Sequence, residues 1–174
     1  MVHYAVLANP GHNRVYFEQS GGLSLAELEV ALGRFSTPCG EIGGKTIAGI
    51  PYVTFAAEAP LSPADLARLS RLSFLYALFV EEAREDAPRL LPVALPDTAY
   101  LPPEVSRILK YTGKTNELFT RLMINIALNS GAYADEPLPR LLDPVAGRGT
   151  TLFEALVWGC SAAGIEIGDK AVGD

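Results

Sequence analysis

The sequence is short of the residues from which most metal and redox centres are built. Its two cysteines, Cys39 and Cys160, stand far apart and in no Cys-x-x-Cys spacing. Two free thiols in a reducing compartment are therefore expected, rather than a disulfide framework or a thiolate metal centre. The two histidines, His3 and His12, have no third ligand at suitable spacing and no nearby acid. Neither a metal site nor a Ser-His-Asp or Cys-His arrangement is expected from them. Positive charge is also scarce, with 14 Lys and Arg against 20 Asp and Glu and a net charge of −6. That balance excludes the global basic field that draws a chain to nucleic acid or to an anionic membrane, although a local basic face stays open. Pro, Gly or a charge breaks every apolar run well short of a membrane span. Met1 leads into a strand-like run, not into a basic and then an apolar segment, so no secretory signal is expected and the location is read as cytoplasmic.

What is there fits an ordinary globular chain: 174 residues, 49% of them hydrophobic and 20% charged. That size predicts one domain, or one small domain plus part of another. Residues 2–7 read as a strand, and residues 15–18 as its continuation or partner across the Asn9-Pro10-Gly11 turn signal. Ser24 as N-cap, with Glu27 three residues on, predicts a helix over 25–35 with Leu25, Leu28, Leu32 and Phe35 on one face. Gly40, Gly43 and Gly44 mark turns before strand-like runs at 46–50 and 52–56. Ser62-Pro63-Ala64-Asp65 starts a helix to about residue 72. Residues 74–81 are apolar and aromatic, and periodicity leaves helix and strand open. Glu81, Glu82, Glu85 and Asp86 read as a solvated helix end.

Pro88, Pro92, Pro96, Pro102 and Pro103 break up the next stretch, which reads as an extended linker over 86–106 with room for one strand at 90–94. The linker divides a module over 1–85 from a second region over 107–174. There Thr115 is expected to cap a helix over 116–129, with Leu118, Leu122, Ile126 and Asn129 on one stripe and Met123 and Ala127 beside it. Gly131 is expected to end that helix in the left-handed conformation. A strand at 140–146, a helix at 150–158 and a strand at 162–167 follow, the order of a parallel pair with a crossover helix.

The chemistry lies in Asp143-Pro144-Val145-Ala146-Gly147-Arg148-Gly149-Thr150-Thr151. Gly147 and Gly149 clear Cβ atoms from the path of a ligand approaching the backbone. The helix opening at Thr150 aims free N–H groups and a partial positive charge at that ligand. Twenty-three positions after Asp143 stands Glu166, whose carboxylate suits the two hydroxyls of a ribose. A dinucleotide fits less well. The Gly-x-Gly-x-x-Gly pattern is incomplete, Glu154 is expected near the place of a pyrophosphate, and Asp143 favours a cationic ligand such as a sulfonium.

This segment resembles motif I of class I methyltransferases that use S-adenosylmethionine, in the form shared by tRNA (guanine-N2) and amino DNA methyltransferases. Residues 110–117, Lys-Tyr-Thr-Gly-Lys-Thr-Asn-Glu, resemble the stretch that precedes motif I in the tRNA enzymes, and Gly164-Ile165-Glu166-Ile167 resembles motif II. The resemblance implies an α/β chain: an α+β module of THUMP- or ferredoxin-like character, then the first βαβ unit of a Rossmann-like methyltransferase domain. It implies S-adenosylmethionine held by Asp143, Pro144, Ala146, Gly147, Gly149, Thr150 and Glu166, with Thr115 and Asn116 beside the methionine end. It also implies RNA, specifically tRNA, as partner, with the module over 1–85 positioning it.

The family's Asn/Asp-Pro-Pro-aromatic catalytic motif occurs nowhere in the sequence; Leu101-Pro102-Pro103 has the wrong leading residue. No catalytic residue is therefore assigned. The chain is expected to be the N-terminal portion of a longer methyltransferase, inactive by itself. An unfinished sheet at 140–174 is expected to be covered by a second copy or by the rest of such a protein, or else to be poorly ordered. Arg107, Lys110, Lys114 and Arg121 could form a local basic patch for RNA phosphates or merely a solvated face. Tyr111 could stack on a base but is more simply a packing residue, and Trp158 is expected in the core. Two other readings stay open: an amino DNA methyltransferase, and a non-enzymatic RNA-binding or interaction protein.

Overall fold

The computed structural model describes residues 1–10, 14–84, 87–107, 113–132 and 139–168, the Arg14 side chain excepted. Gly11, His12, Glu85, Asp86 and Lys110-Tyr111-Thr112, named above, lie outside them. The chain divides into two compact units, Met1–Asp97 and Thr98–Asp174.

In the first unit, β1 (Val2–Ala8) is followed by α1 (Arg14–Gln19), α2 (Gly21–Leu32), β2 (Cys39–Ile47), β3 (Ile50–Ala57), α3 (Pro63–Leu69), β4 (Leu75–Glu82) and β5 (Arg89–Val93). The strands form one antiparallel sheet in the order β2-β3-β1-β4-β5. Tyr4 and Val6 of β1 face the helices, and Tyr4 stacks on Phe55 with ring centroids 5.1 Å apart. Leu28 and Leu32 of α2, Leu69 of α3 and Leu78 of β4 close this core.

The first unit departs from several sequence expectations. Residues 15–18 are helical, because both sides of β1 are already taken by β3 and β4, which leaves no edge beside it for another strand. The second helix starts at Gly21 and not at Leu25. The Ser24 hydroxyl donates back to the Ser20 carbonyl, and the Glu27 carboxylate is buried, accepting from the amide and hydroxyl of Ser73. No capping box forms there. Gly40, Gly43 and Gly44 lie inside β2, around a bulge between Gly40 and Gly43, which an edge strand tolerates. The real turn is Ala48-Gly49, with φ of 50° and 80°, the double positive-φ geometry that matches strand twist in a two-residue hairpin. Glu81 and Glu82 belong to a strand, and Lys45 forms an ion pair with Glu81.

The Ser62 start is as expected. Its hydroxyl accepts from Asp65 N, and the Asp65 carboxylate reaches back to Ser62 N. That carboxylate also binds the amides and hydroxyls of Ser36 and Thr37. Both cysteines are free thiols, Cys160 buried. Burial first, and the Asp65 charge second, push the Cys39 thiol up to about 11, which makes it a poor nucleophile.

The second unit contains a short 3-10 segment at Pro103–Arg107, α4 (Glu117–Ser130), β6 (Arg140–Asp143), α5 (Thr150–Val157) and β7 (Ser161–Gly164). Strands β6 and β7 pair in parallel with Leu141 opposite Ala162 and Asp143 opposite Gly164. Leu141 and Ala162 pack inward with Ile124, Ala155, Val157 and Trp158, while Leu142 is exposed. The cap of α4 is Asn116, not Thr115: its Oδ1 accepts from Leu118 N at 2.8 Å and Phe119 N at 3.1 Å. Gly131 ends α4 with extended backbone rather than left-handed. Left-handed Gly159 ends α5 instead, with Cys160 N donating to Ala155 O and Gly159 N to Leu156 O, the Schellman pattern.

Among the described residues, no helix is long and apolar enough to cross a membrane, and no cluster of His, Cys, Asp or Glu could hold a metal ion.

Candidate functional site

Because β6 and β7 run parallel, Asp143 and Gly164 end them on the same edge of the pair. The segment 144–149 therefore leaves β6 and Glu166 leaves β7 at neighbouring points. Pro144 and Val145 are exposed, and Val145 N donates to Asp143 Oδ1 at 2.9 Å, which turns the chain sharply out of the strand. Ala146 N then bonds Ile165 O at 2.9 Å, and Ile165 N bonds Asp143 O at 2.8 Å. These bonds carry the parallel pairing past the strand ends. Gly147 and Gly149 both take positive φ, 54° and 84°, which a side chain would resist. A Cβ on Gly147 would meet nothing within 4 Å, so this backbone is open to approach. Gly149 sits at the N-cap of α5, and Phe153 N closes the first turn onto its carbonyl at 3.0 Å.

The Glu166 carboxylate lies on this loop. Its Oε2 accepts from Gly147 N at 2.8 Å and its Oε1 from Gly168 N at 2.7 Å. The Gly168 amide first and the Gly147 amide second hold the carboxyl below its ordinary range, against smaller opposing pushes from desolvation and then from the Asp143 charge. Loop and acid are thus brought together.

Thr150 is buried as the first residue of α5. The Asn116 Oδ1 caps its own helix, accepting from Leu118 N and Phe119 N. Among the described residues neither Thr115 nor Asn116 is hydrogen-bonded to the loop.

Glu154 is placed differently from the expectation. It is fully buried, with Oε2 accepting from Arg121 Nε of α4 at 3.1 Å. The Arg121 guanidinium in turn lies 4.9 Å from the centroid of the Trp158 ring. Buried and paired with Arg121 of α4, Glu154 is not an open charge facing the loop, which removes the ground of that objection to a dinucleotide. The same contact corrects the buried face of α4, which carries Thr120, Arg121, Leu122, Ile124 and Asn125 while Met123 is exposed. Two of the four residues of the basic patch are also accounted for, Lys110 lying outside the described residues. Arg121 is interior, and Lys114 is tied to Glu117 at 2.6 Å and to the Ser106 carbonyl at 2.7 Å.

One residue of this site has a role that the sequence reading gave it no reason to hold. A Cβ on Gly164 would lie 2.6 Å from Ala146 Cβ and 3.0 Å from Leu152 Cδ1. Its lack of a side chain lets the loop and α5 settle against β7. The only sequence signal for this was a glycine two residues before the acid. No protein-family model matches the chain, and no curated protein matches its sequence.

Proposed function

We propose that the second unit binds S-adenosylmethionine as the cofactor half of a class I methyltransferase acting on RNA, tRNA guanine-N2 foremost. The observation that carries this reading is the contact between the glycine loop after β6 and the acid after β7, at the shared carboxyl ends of a parallel pair. The β6-α5-β7 order supports a Rossmann-like beginning. Gly147 and Gly149 would let the cofactor approach the backbone, Glu166 would hold the ribose hydroxyls, and Asp143 would favour a cation. Pro144, Ala146 and Thr150 shape the turn into α5; Thr115 and Asn116 have only the motif resemblance behind them. When bound, the cofactor supplies an electrophilic methyl group on a positively charged sulfur.

For the first unit, the order β1-α-β2-β3-α3-β4 with β2-β3-β1-β4 side by side supports a ferredoxin-like plan. Such a module suits RNA positioning better than it suits an amino DNA methyltransferase. The 174 residues hold no Asn/Asp-Pro-Pro-aromatic motif, so cofactor binding without methyl transfer is proposed for this chain taken alone. A second copy or a further protein segment would cover Leu142 and its neighbours.

Calorimetric titration with S-adenosylmethionine tests the reading. Saturable binding that weakens at least tenfold, about 1.4 kcal/mol, in Glu166→Ala is expected. Absence of binding to the folded wild-type chain would overturn it.

A further inference from the structure

We infer that Glu166 makes this loop reject phosphate, because its carboxylate already occupies the backbone amide that an anion would use. A glycine turn ahead of a helix is ordinarily an anion site, with amides converging and the helix dipole aiding them. The turn here has that build, with left-handed Gly147 and Gly149 before the eight-residue helix α5. Yet the Gly147 N–H points to Glu166 Oε2 at 2.8 Å, and the other oxygen is anchored by Gly168 N at 2.7 Å. A phosphate reaching Gly147 must displace a carboxylate held at both oxygens. It would do so beside two carboxylates, Glu166 and Asp143, which oppose the pull of Arg148. Arg148, exposed between the two glycines, is the cation of the loop itself, and the carboxylate on the Gly147 N–H stands in the way of a phosphate all the same.

A vicinal diol meets no such obstacle. Its two O–H groups donate to the carboxylate, and a hydroxyl oxygen can accept the Gly147 N–H, so hydrogen bonds are exchanged and not lost. A cationic group nearby is attracted by the same two carboxylates. This contact separates a nucleoside, whose diol takes over the carboxylate, from a free phosphate or pyrophosphate, which has no diol. The inference deepens the cofactor proposal and rests on it for the identity of the ligand.

The experiment is a nitrogen-15 amide titration of the full chain with inorganic pyrophosphate, following Gly147 and Gly149 in wild type, Glu166→Gln and Glu166→Ala. Thermal unfolding establishes that each variant is folded. Wild type is expected to show no saturable shift. Glu166→Ala should show saturable shifts at both glycines, with at least a tenfold gain in apparent affinity. Should Glu166→Ala not fold, Glu166→Gln decides, since it keeps the volume and loses the charge. Saturation of wild type at the same pyrophosphate concentration as the variant, or folded variants with no shift, overturns the inference. Pyrophosphate gain in a protein that binds no S-adenosylmethionine keeps the inference and sinks the cofactor reading; binding of both ligands by wild type does the reverse.

Discussion

Gly164 stands where β7 passes under the glycine loop, and no atom separates its Cα from the methyl of Ala146. A Cβ there would lie 2.6 Å from that methyl and 3.0 Å from Leu152 Cδ1, so loop, helix or strand must give way. Gly164→Ala is expected to cost about 1–3 kcal/mol, the usual range for overpacking, read from the midpoint of urea unfolding. It should also pull the Gly147 amide away from Glu166, visible as faster amide exchange at Gly147 alone. A neutral outcome in both measurements would show that the close approach is not needed. Asp65 supports the first unit in a different way. Burial alone would raise its carboxyl, but the Ser62 hydroxyl, the Ser36 amide and the Thr37 and Ser36 hydroxyls outweigh that and hold it at about 2, against 3.8 ordinarily. The folded state therefore binds this proton less tightly than the unfolded chain. Its contribution is complete above about pH 4 and is lost as pH falls toward 2. Asp65→Asn should flatten that acid limb in unfolding curves taken across this range.

At the scale of elements, α4 and α5 are joined by a charge pair inside an apolar cluster. Arg121 and Glu154 share one hydrogen bond, while Arg121 Nη2 and Glu154 Oε1 are buried without a hydrogen bond among the described residues. A buried pair so incompletely satisfied adds little net stability, but removing one partner strands the other charge. Glu154→Ala is expected to lose about 3–5 kcal/mol, and Arg121→Met combined with Glu154→Leu to recover most of it. Denaturant unfolding of the single and double variants checks this; additive losses would refute it. The pair explains why the buried face of α4 is rotated from the expected stripe. Periodicity sorts apolar from polar residues, and an arginine at position 121 counts as solvent-facing until its partner, 33 positions away, is known. The Ser62 start of α3 was legible because its bonds are local, whereas Glu27, with the same apparent capping signature at Ser24, had a distant partner in Ser73.

Across the whole molecule, the two units have unequal means of support. The first buries β1 at the centre of a five-stranded sheet, with Val6, Leu28 and Leu69 fully enclosed. The second has, among the described residues, a two-stranded sheet with Leu142 61% exposed, and Val145 and Ile167, beyond its strand ends, are 81% and 98% exposed. Two strands with one covered face are marginal by themselves. Hydrogen exchange should therefore protect the amides of β1, β3 and β4 longest and release those of β6 and β7 first. Equal protection of both sheets would contradict this. Ligand binding at the loop should slow exchange in β6 and β7 selectively, by mass action on that unit.

The sequence by itself determined the strand-loop-helix-strand order over 140–166, the Ser62 helix start and the membership of the glycine loop, because each depends on neighbours within a few positions. Only the tertiary structure decided that residues 15–18 are helical, that Glu154 faces α4 and not the loop, and that Glu166 lies on the Gly147 amide. Those outcomes depend on which edges are free, which buried charges find partners and which backbone donors meet across a fold, and such contacts join positions far apart along the chain.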